Sequence, residues 1–323
     1  MDTEIIQLAL QNAKRYIPPD RETIYQRDWE NQHSICTMEH GKLIYSDRTS
    51  YTIADEFHKD RRNIVKHFIE TYVFPEEAYS CKLPFDINMH DFVATSMNND
   101  QYPHSILNAS LVEEDTHNIP IPDFYAMQGY HGSILETDPM PTFHKVNELY
   151  FIGTSTGNHL PYLNQRIKLC QFAQPYSWIH SYLSQVVQVT EYDLYHYDPT
   201  YQNYIHPHVF PRYQKMYRHL ISVDGNTAAW DRVPWIMASN SVLWKCESKH
   251  MCWYYPLLKP WNHYIPFEIE TLETTWNYRK HDIPLCTNIV YQANQFVQDV
   301  LHIEKHALYM RTLLEEIKYL YEP

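Results

Sequence analysis

Glycine is scarce in this chain of 323 residues, with six in all. That shortage excludes a glycine-rich repeat and makes each glycine informative, because glycine alone takes φ > 0 without a steric penalty. Long apolar runs are also missing. No stretch reaches the roughly 18 residues that a membrane-crossing helix needs. The opening MDTEIIQLALQNAKRYIPPD begins with acids and alternates like an amphipathic helix, so it does not read as a secretory leader. A cytoplasmic protein is the expectation. Basic residues are few: 26 Lys and Arg stand against 39 Asp and Glu, for a net charge of −13. The basic face that nucleic acid requires is therefore not expected. The six cysteines, Cys36, Cys81, Cys170, Cys246, Cys252 and Cys286, contain no CxxC pair and are expected to be reduced. There is no HExxH, no Asp-x-Asp, no Walker lysine and no GxGxxG near the N-terminus. Their absence argues against a zincin, a metal clamp on a diphosphate, an ATPase and an NAD-dependent epimerase. His206-Pro207-His208 has no Cys or carboxylate at ligand spacing and reads as a loop, so no metal site is expected.

What is present fits a globular α/β protein. Hydrophobic residues make up 44% of the chain, and its length suits about two domains. Residues 4–16 read as a helix ended by Pro18-Pro19, and 41–47 as a short strand. Asp60 to Phe74 is a helix with Ile64, Phe68, Ile69 and Tyr72 on one face. In KLPFDINMHDF the alternation of Phe85, Ile87 and Met89 with polar residues is that of a strand. Asp91 follows it, either as a chain-turning residue or at the edge that faces ligands in an open α/β sheet. Residues 95–118 are rich in Asn, Asp and Ser and read as a loop. Phe124 and Tyr125, in IPIPDFYAM, flank an acceptor or simply pack. Residues 283–322 read as a long helical tail.

Two strand-to-turn units stand out. In the first, Leu149–Ile152 leads into Gly153-Thr154-Ser155-Thr156-Gly157, a hydroxyl-rich turn suited to phosphate or ribose contacts, and Arg166 lies on the helix that follows. In the second, Leu220, Ile221 and Val223 form a strand broken by Asp224-Gly225-Asn226. There Thr227 is placed to cap a helix, with Ala228 and Ala229 keeping its first turn slim and Arg232 about a turn further on. A free helix N-terminus and a nearby arginine suit a diphosphate.

The string DGNTAAWDRVPWIMASNSVLWK, followed by WYYPLLKPWNHYIP, resembles the signature of the CAP10-like glycosyltransferases, which include protein O-glucosyltransferases and capsule and viral xylosyltransferases. FIGTSTGNHLPYLNQR and IPIPDF resemble further segments of that family. The resemblance covers about residues 80 to 320. It implies a GT-B-like fold: two Rossmann-like domains facing a cleft, with a last helix crossing back to the first. The domains would be 1–145, joined by about 300–323, and 146–299. It implies an inverting, metal-independent transferase that moves a sugar from a UDP-sugar to a hydroxyl of a glycan or glycoprotein, with no resident cofactor. By resemblance Asp91 is the catalytic base. The donor residues would be Gly153, Thr154, Ser155, Thr156, Gly157, Arg166, Asp224, Gly225, Asn226, Ala228, Ala229, Arg232 and Ser239. His90, Phe124 and Tyr125 would lie on the acceptor side. Without a leader the chain looks more like the cytoplasmic viral and microbial members, virus-encoded ones included, which leans the donor towards UDP-xylose. UDP-glucose and a catalytically inactive carbohydrate-binding relative are the alternatives.

Overall fold

The computed structural model describes residues 1–18, 33–45, 55–75, 79–89, 105–130 and 138–322. His90 and Asp91 lie outside the described residues. In chain order the strands are β1 (His33–Glu39), β2 (Lys42–Tyr45), β3 (Cys81–Asn88), β4 (Ile106–Asn108), β5 (Leu111–Val112), β6 (Ile119–Pro120), β7 (Val146–Thr154), β8 (Ile179–Gln185), β9 (Tyr217–Ser222), β10 (Val242–Cys246), β11 (His250–Met251) and β12 (Ile265–Phe267). The chain divides into two units. The first takes Met1–Tyr130, Lys249–Leu257 and Asp299–Pro323; the second takes His131–Ser248 and Leu258–Gln298.

The first unit is built on a mixed sheet of order β2-β1-β3-β4-β6. β1 and β2 form an antiparallel hairpin whose two turn residues, His40 and Gly41, both have positive φ, at 47° and 74°. That geometry matches the twist of paired strands and favours glycine at the second position. β3 runs parallel to β4, and β4 parallel to β6. β4 and β5 fall where the sequence reads as loop; Ile106 and Leu107 are fully buried in spite of their polar neighbours. The helix Ile303–Tyr321 packs on the helix Asp2–Lys14, with Asn12 Nδ2 donating to Tyr309 Oη at 2.8 Å and Lys305 Nζ 2.6 Å from Asp2 Oδ1. The expected single helical tail is two helices, Ile283–Val300 and Ile303–Tyr321. The expected helix 60–74 starts at Asp55, and its last turn, Ile69–Val73, widens into a π-helix.

The second unit carries a fully parallel sheet of order β12-β10-β9-β7-β8. Counted along the chain this is order 2-1-3-4-5, the flavodoxin-type doubly wound arrangement, in which the chain leaves β7 in one direction and β9 in the other. Parallel strands are apolar on both faces, which explains the unbroken run Leu149–Ile152. On one face Leu149, Phe151, Ile221, Trp244 and Ile265 meet Leu169, Trp276 and Ile289 from three helices. Fully burying side chains of this size stabilises by about 1.5–3 kcal/mol each. At the N-terminal edge Lys145 and Asp138 form a buried ion pair, and Lys145 Nζ also donates to Ser241 Oγ at 2.8 Å.

Candidate functional site

The turns after β7 and β9 leave from the same, C-terminal edge of adjacent strands. They flank the point where the winding reverses, and such a switch point opens a crevice in doubly wound sheets. The two turns touch. A Cβ on Gly225 would lie 2.7 Å from Thr156 Oγ1, and one on Gly157 would lie 3.4 Å from Gly225 O. Gly157 has a φ of 131°, which side-chain-bearing residues rarely adopt. The scarce glycines are thus spent where two backbones approach.

Arg166 brackets the turns. Its Nη1 donates to Thr154 O at 3.1 Å and to Thr156 Oγ1 at 2.7 Å; its Nε donates to Asp224 O at 3.1 Å and its Nη2 to Val223 O at 3.2 Å. Asn164 supports this arrangement. Its Oδ1 accepts from the N–H groups of Arg166 and Ile167 and caps the helix Gln165–Ala173, while its Nδ2 donates to Ser155 O and Asn158 O. Arg232 comes from the other face. Its Nη2 donates to Ile152 O at 2.7 Å and its Cζ lies 4.9 Å from the centre of the Phe151 ring.

Both guanidinium groups converge on Gly153: a Cβ there would lie 3.4 Å from Arg232 Nη2 and 3.6 Å from Arg166 Nη1. Among the described residues neither arginine forms an ion pair with a carboxylate. Burial, and after it the positive charge of Arg232, lower the Arg166 pKa to about 10 against the opposing pull of Asp224 and Asp231. Burial lowers Arg232 as well, against Asp231 and Tyr150. Two crowded cations with too little negative charge around them favour an anionic ligand.

The remaining predicted donor residues divide. Asp224 Oδ1 accepts from Ala229 N at 3.1 Å, and its other oxygen, Oδ2, is buried with no hydrogen-bond partner among the described residues. Asn226 Oδ1 accepts from Gly157 N at 3.1 Å. Thr154 and Thr156 share a contact between hydroxyls at 3.2 Å. Ser155 is turned inward, its Oγ donating to Val187 O and accepting from Val187 N, both at 2.6 Å. Ser239 is fully buried and its Oγ donates to Ile236 O, at the far end of the helix that Arg232 begins. At 1.5 Å per residue that places it about 10 Å from Arg232 along the helix.

The expected helix start is corrected. The helix is Arg232–Met237, six residues long, and its N-cap Asp231 makes no side-chain cap. The Thr227 hydroxyl donates to Ala228 O at 3.4 Å, and Ala228 and Ala229 belong to the turn that precedes the helix.

Gln188 was not foreseen. It is exposed, holds a φ of 64°, and its Oε1 accepts from Gly157 N at 3.0 Å. A non-glycine residue in the left-handed region signals a functional or packing constraint, which no local sequence pattern reveals.

In the first unit Phe124 is buried beneath the Arg61 guanidinium, whose Cζ lies 4.6 Å from the ring centre, while Tyr125 is 42% exposed. Arg61 Nη1 donates to Met89 O at 2.7 Å, just past β3. The KPWNHYIP segment lies elsewhere. It feeds the start of β12, hence the opposite edge of the parallel sheet, where Lys259 N donates to His263 Nδ1 at 3.0 Å and Trp261 holds a φ of 63°. Among the described residues no group of three or more His, Cys, Asp or Glu is arranged to hold a metal.

A model of the family described as "Glycosyl transferase family 90" matches residues 150–322, more than half of the chain and inclusive of both turns. The chain belongs to glycosyl transferase family 90. Shorter stretches are similar to curated proteins. Protein O-glucosyltransferase 2 of Danio rerio is 45% identical over 51 residues, which is 16% of this chain and 10% of that protein. Protein O-glucosyltransferase 3 of Homo sapiens is 28% identical over 95 residues, which is 29% of this chain and 18% of that protein. These matches therefore cover less than a fifth of either relative's length. Among solved structures, the C-terminal domain of a glycosyl transferase group 1 family protein from Francisella tularensis aligns with a TM-score of 0.36 at 10% identity, covering 52% of this chain and 95% of that one.

Proposed function

We propose that the protein is an inverting transferase that moves a sugar from a UDP-sugar to a hydroxyl of a glycan or glycoprotein acceptor. The observation that carries this reading is the convergence of Arg166 and Arg232 on Gly153, without a carboxylate ion pair among the described residues, at the switch point of a parallel sheet. A departing nucleoside diphosphate is the anion that chemistry in this family would place there. As the acceptor oxygen bonds to the sugar C1, the bond from C1 to the diphosphate oxygen breaks, and its electron pair leaves with the diphosphate. Arg232, whose Nε and Nη1 form no hydrogen bond among the described residues, is the group to stabilise that charge. Arg166 holds the two turns in register.

The base that accepts the acceptor's proton is proposed to be Asp91, on the KLPFDINMHDF motif alone. Two cations at the leaving group support a reaction that needs no metal clamp. The proposal includes the GT-B-like arrangement, the first domain holding the acceptor beside His90, Phe124 and Tyr125. UDP-xylose is the first donor proposed; the O-glucosyltransferase names of the similar proteins support UDP-glucose as the second. A cytoplasmic setting is part of the proposal; no described helix is long and apolar enough to cross a membrane.

The test is turnover and thermal stabilisation with UDP-xylose, UDP-glucose and other nucleotide sugars, with and without EDTA. One donor is expected to respond, insensitive to EDTA. Arg232→Ala should weaken UDP far more than uridine. Folded protein that answers to no UDP-sugar, or an Arg232→Ala variant that loses UDP and uridine equally, overturns the donor site.

A further inference from the structure

A second cleft opens in the first unit, lined by none of the residues assigned a role above. It has a volume of about 670 Å³ and lies where the entry to β3 meets the last helix, lined by Tyr79, Lys82, Glu315, Lys318, Tyr319 and Glu322. Much of its wall is fixed in advance. The Tyr79 ring stacks on Phe74 at 3.8 Å and 3° between planes, and its hydroxyl donates to Leu314 O at 3.0 Å. Lys318 donates to the Ser80 carbonyl, and its ammonium lies 5.1 Å from the centre of the Tyr79 ring. Glu322 Oε1 accepts from Lys82 N at 2.7 Å, and its Oε2 lies 4.0 Å from Lys318 Nζ. Tyr319, 81% exposed, and Glu315, also exposed, stand free at the rim.

The lining defines its ligand. Two lysines and two glutamates sum to no net charge, so neither an anion such as a nucleotide nor a cation is favoured. The cleft is open and carries four charged side chains, Lys82, Glu315, Lys318 and Glu322, around its apolar surface, which does not suit a lipid tail or an apolar helix. It does offer the exposed ring of Tyr319, the Lys82 ammonium as a donor and the Glu315 carboxylate as an acceptor within a small space. A pyranose ring matches that set, because it has one C–H face that stacks on an aromatic ring and a rim of hydroxyls that both donate and accept. Fixed walls also reduce the ordering that binding must otherwise supply. We propose that this cleft is a binding subsite for a neutral oligosaccharide, separate from the switch-point crevice.

Saturation-transfer NMR on the whole chain, with neutral xylo- and gluco-oligosaccharides and no nucleotide, tests it. Saturation of ligand ring protons is expected, with affinity reduced about tenfold by Tyr319→Ala. A comparable loss is expected from Glu315→Ala and none from Arg232→Ala. Tyr319 and Glu315 are exposed, so their variants should keep the parent's melting temperature. No saturation transfer to any of these sugars in folded protein overturns the proposal. So does unchanged affinity in the Tyr319→Ala/Glu315→Ala double variant, or loss on Arg232→Ala alone, which would put the sugar in the crevice. A separate UDP titration reports on the donor reading, so the two can fail independently.

Discussion

The Thr156 hydroxyl occupies the space that a side chain on residue 225 would need, since a Cβ there would lie 2.7 Å from Thr156 Oγ1 and 3.0 Å from Arg166 Nη2. Gly225 has no positive φ to explain it, so contact alone requires the glycine. Gly225→Ala should destabilise the protein by about 1–3 kcal/mol, the usual range for overpacking, and weaken UDP. Adding Thr156→Ala should recover part of the stability. Urea denaturation and UDP titration of the pair check this; an alanine variant as stable as the parent would show that the turns do not meet.

Arg166→Lys is expected to behave as a severe substitution. An ammonium cannot reach Thr154 O and Thr156 Oγ1 on one side and Val223 O and Asp224 O on the other, as the guanidinium does. A loss of about 2 kcal/mol is expected, in line with hydrogen bonds to a charged group, together with weaker donor binding. Equal stability of the lysine variant in chemical denaturation would refute the bracket.

Stability should fall with acid below pH 6.5. Burial lowers the pKa of both His219 and His306 to about 3. His219 is held neutral by its contacts, its Nδ1 accepting from Trp244 Nε1 at 3.1 Å while its Nε2 faces Asn147 Oδ1 at 3.0 Å. Between pH 6.5 and about 3 the unfolded chain binds the protons that the folded chain refuses. The stability contributed by each histidine is therefore complete above pH 6.5 and lost as pH falls, at about 1.4 kcal/mol per pH unit for each. Denaturation across that window should steepen accordingly, and replacing either histidine by Gln should flatten the slope. A slope unchanged by both replacements would show that other groups set it.

The ion pair of Lys145 and Asp138 should matter to stability and not to the donor. Their side chains are 0% and 4% exposed, and they lie at the strand edge opposite the crevice. Lys145→Met leaves a buried carboxylate unpaired and should cost about 3–5 kcal/mol, most of it restored by adding Asp138→Asn. UDP affinity of the double variant should stay within a few fold of the parent. A large change in affinity there would place this pair in the donor machinery.

The two turns were legible because glycine is so rare that Gly153, Gly157 and Gly225 could hardly serve anything but close approach. The bracket was not, because Arg166 and Val223 are joined only by the parallel pairing of β7 with β9. The helix expected at Ala228 failed because Asp224 Oδ1 captures the Ala229 N–H and holds these residues in a turn. Ser239 reads as a site serine by its place in the signature, yet its hydroxyl serves the helix end. β4 was hidden among Ser and Asn residues that the folded sheet buries and pairs: Asn88 Nδ2 donates to Asn108 Oδ1 at 2.8 Å, a partnership 20 residues apart.

The division of the chain into units also fixes the order in which they can be completed during synthesis. The second unit is entire once Gln298 has emerged, whereas the first still lacks Asp299–Pro323. Leu313, Leu314 and Ile317 in that last stretch are buried, and Asn12 waits for Tyr309. The unit that holds residues 1–130 is therefore completed after the one that holds residues 258–298. Until residues 299–323 are made, residues 1–130 keep apolar surface uncovered, so loss of that later stretch harms the earlier segments of the same unit.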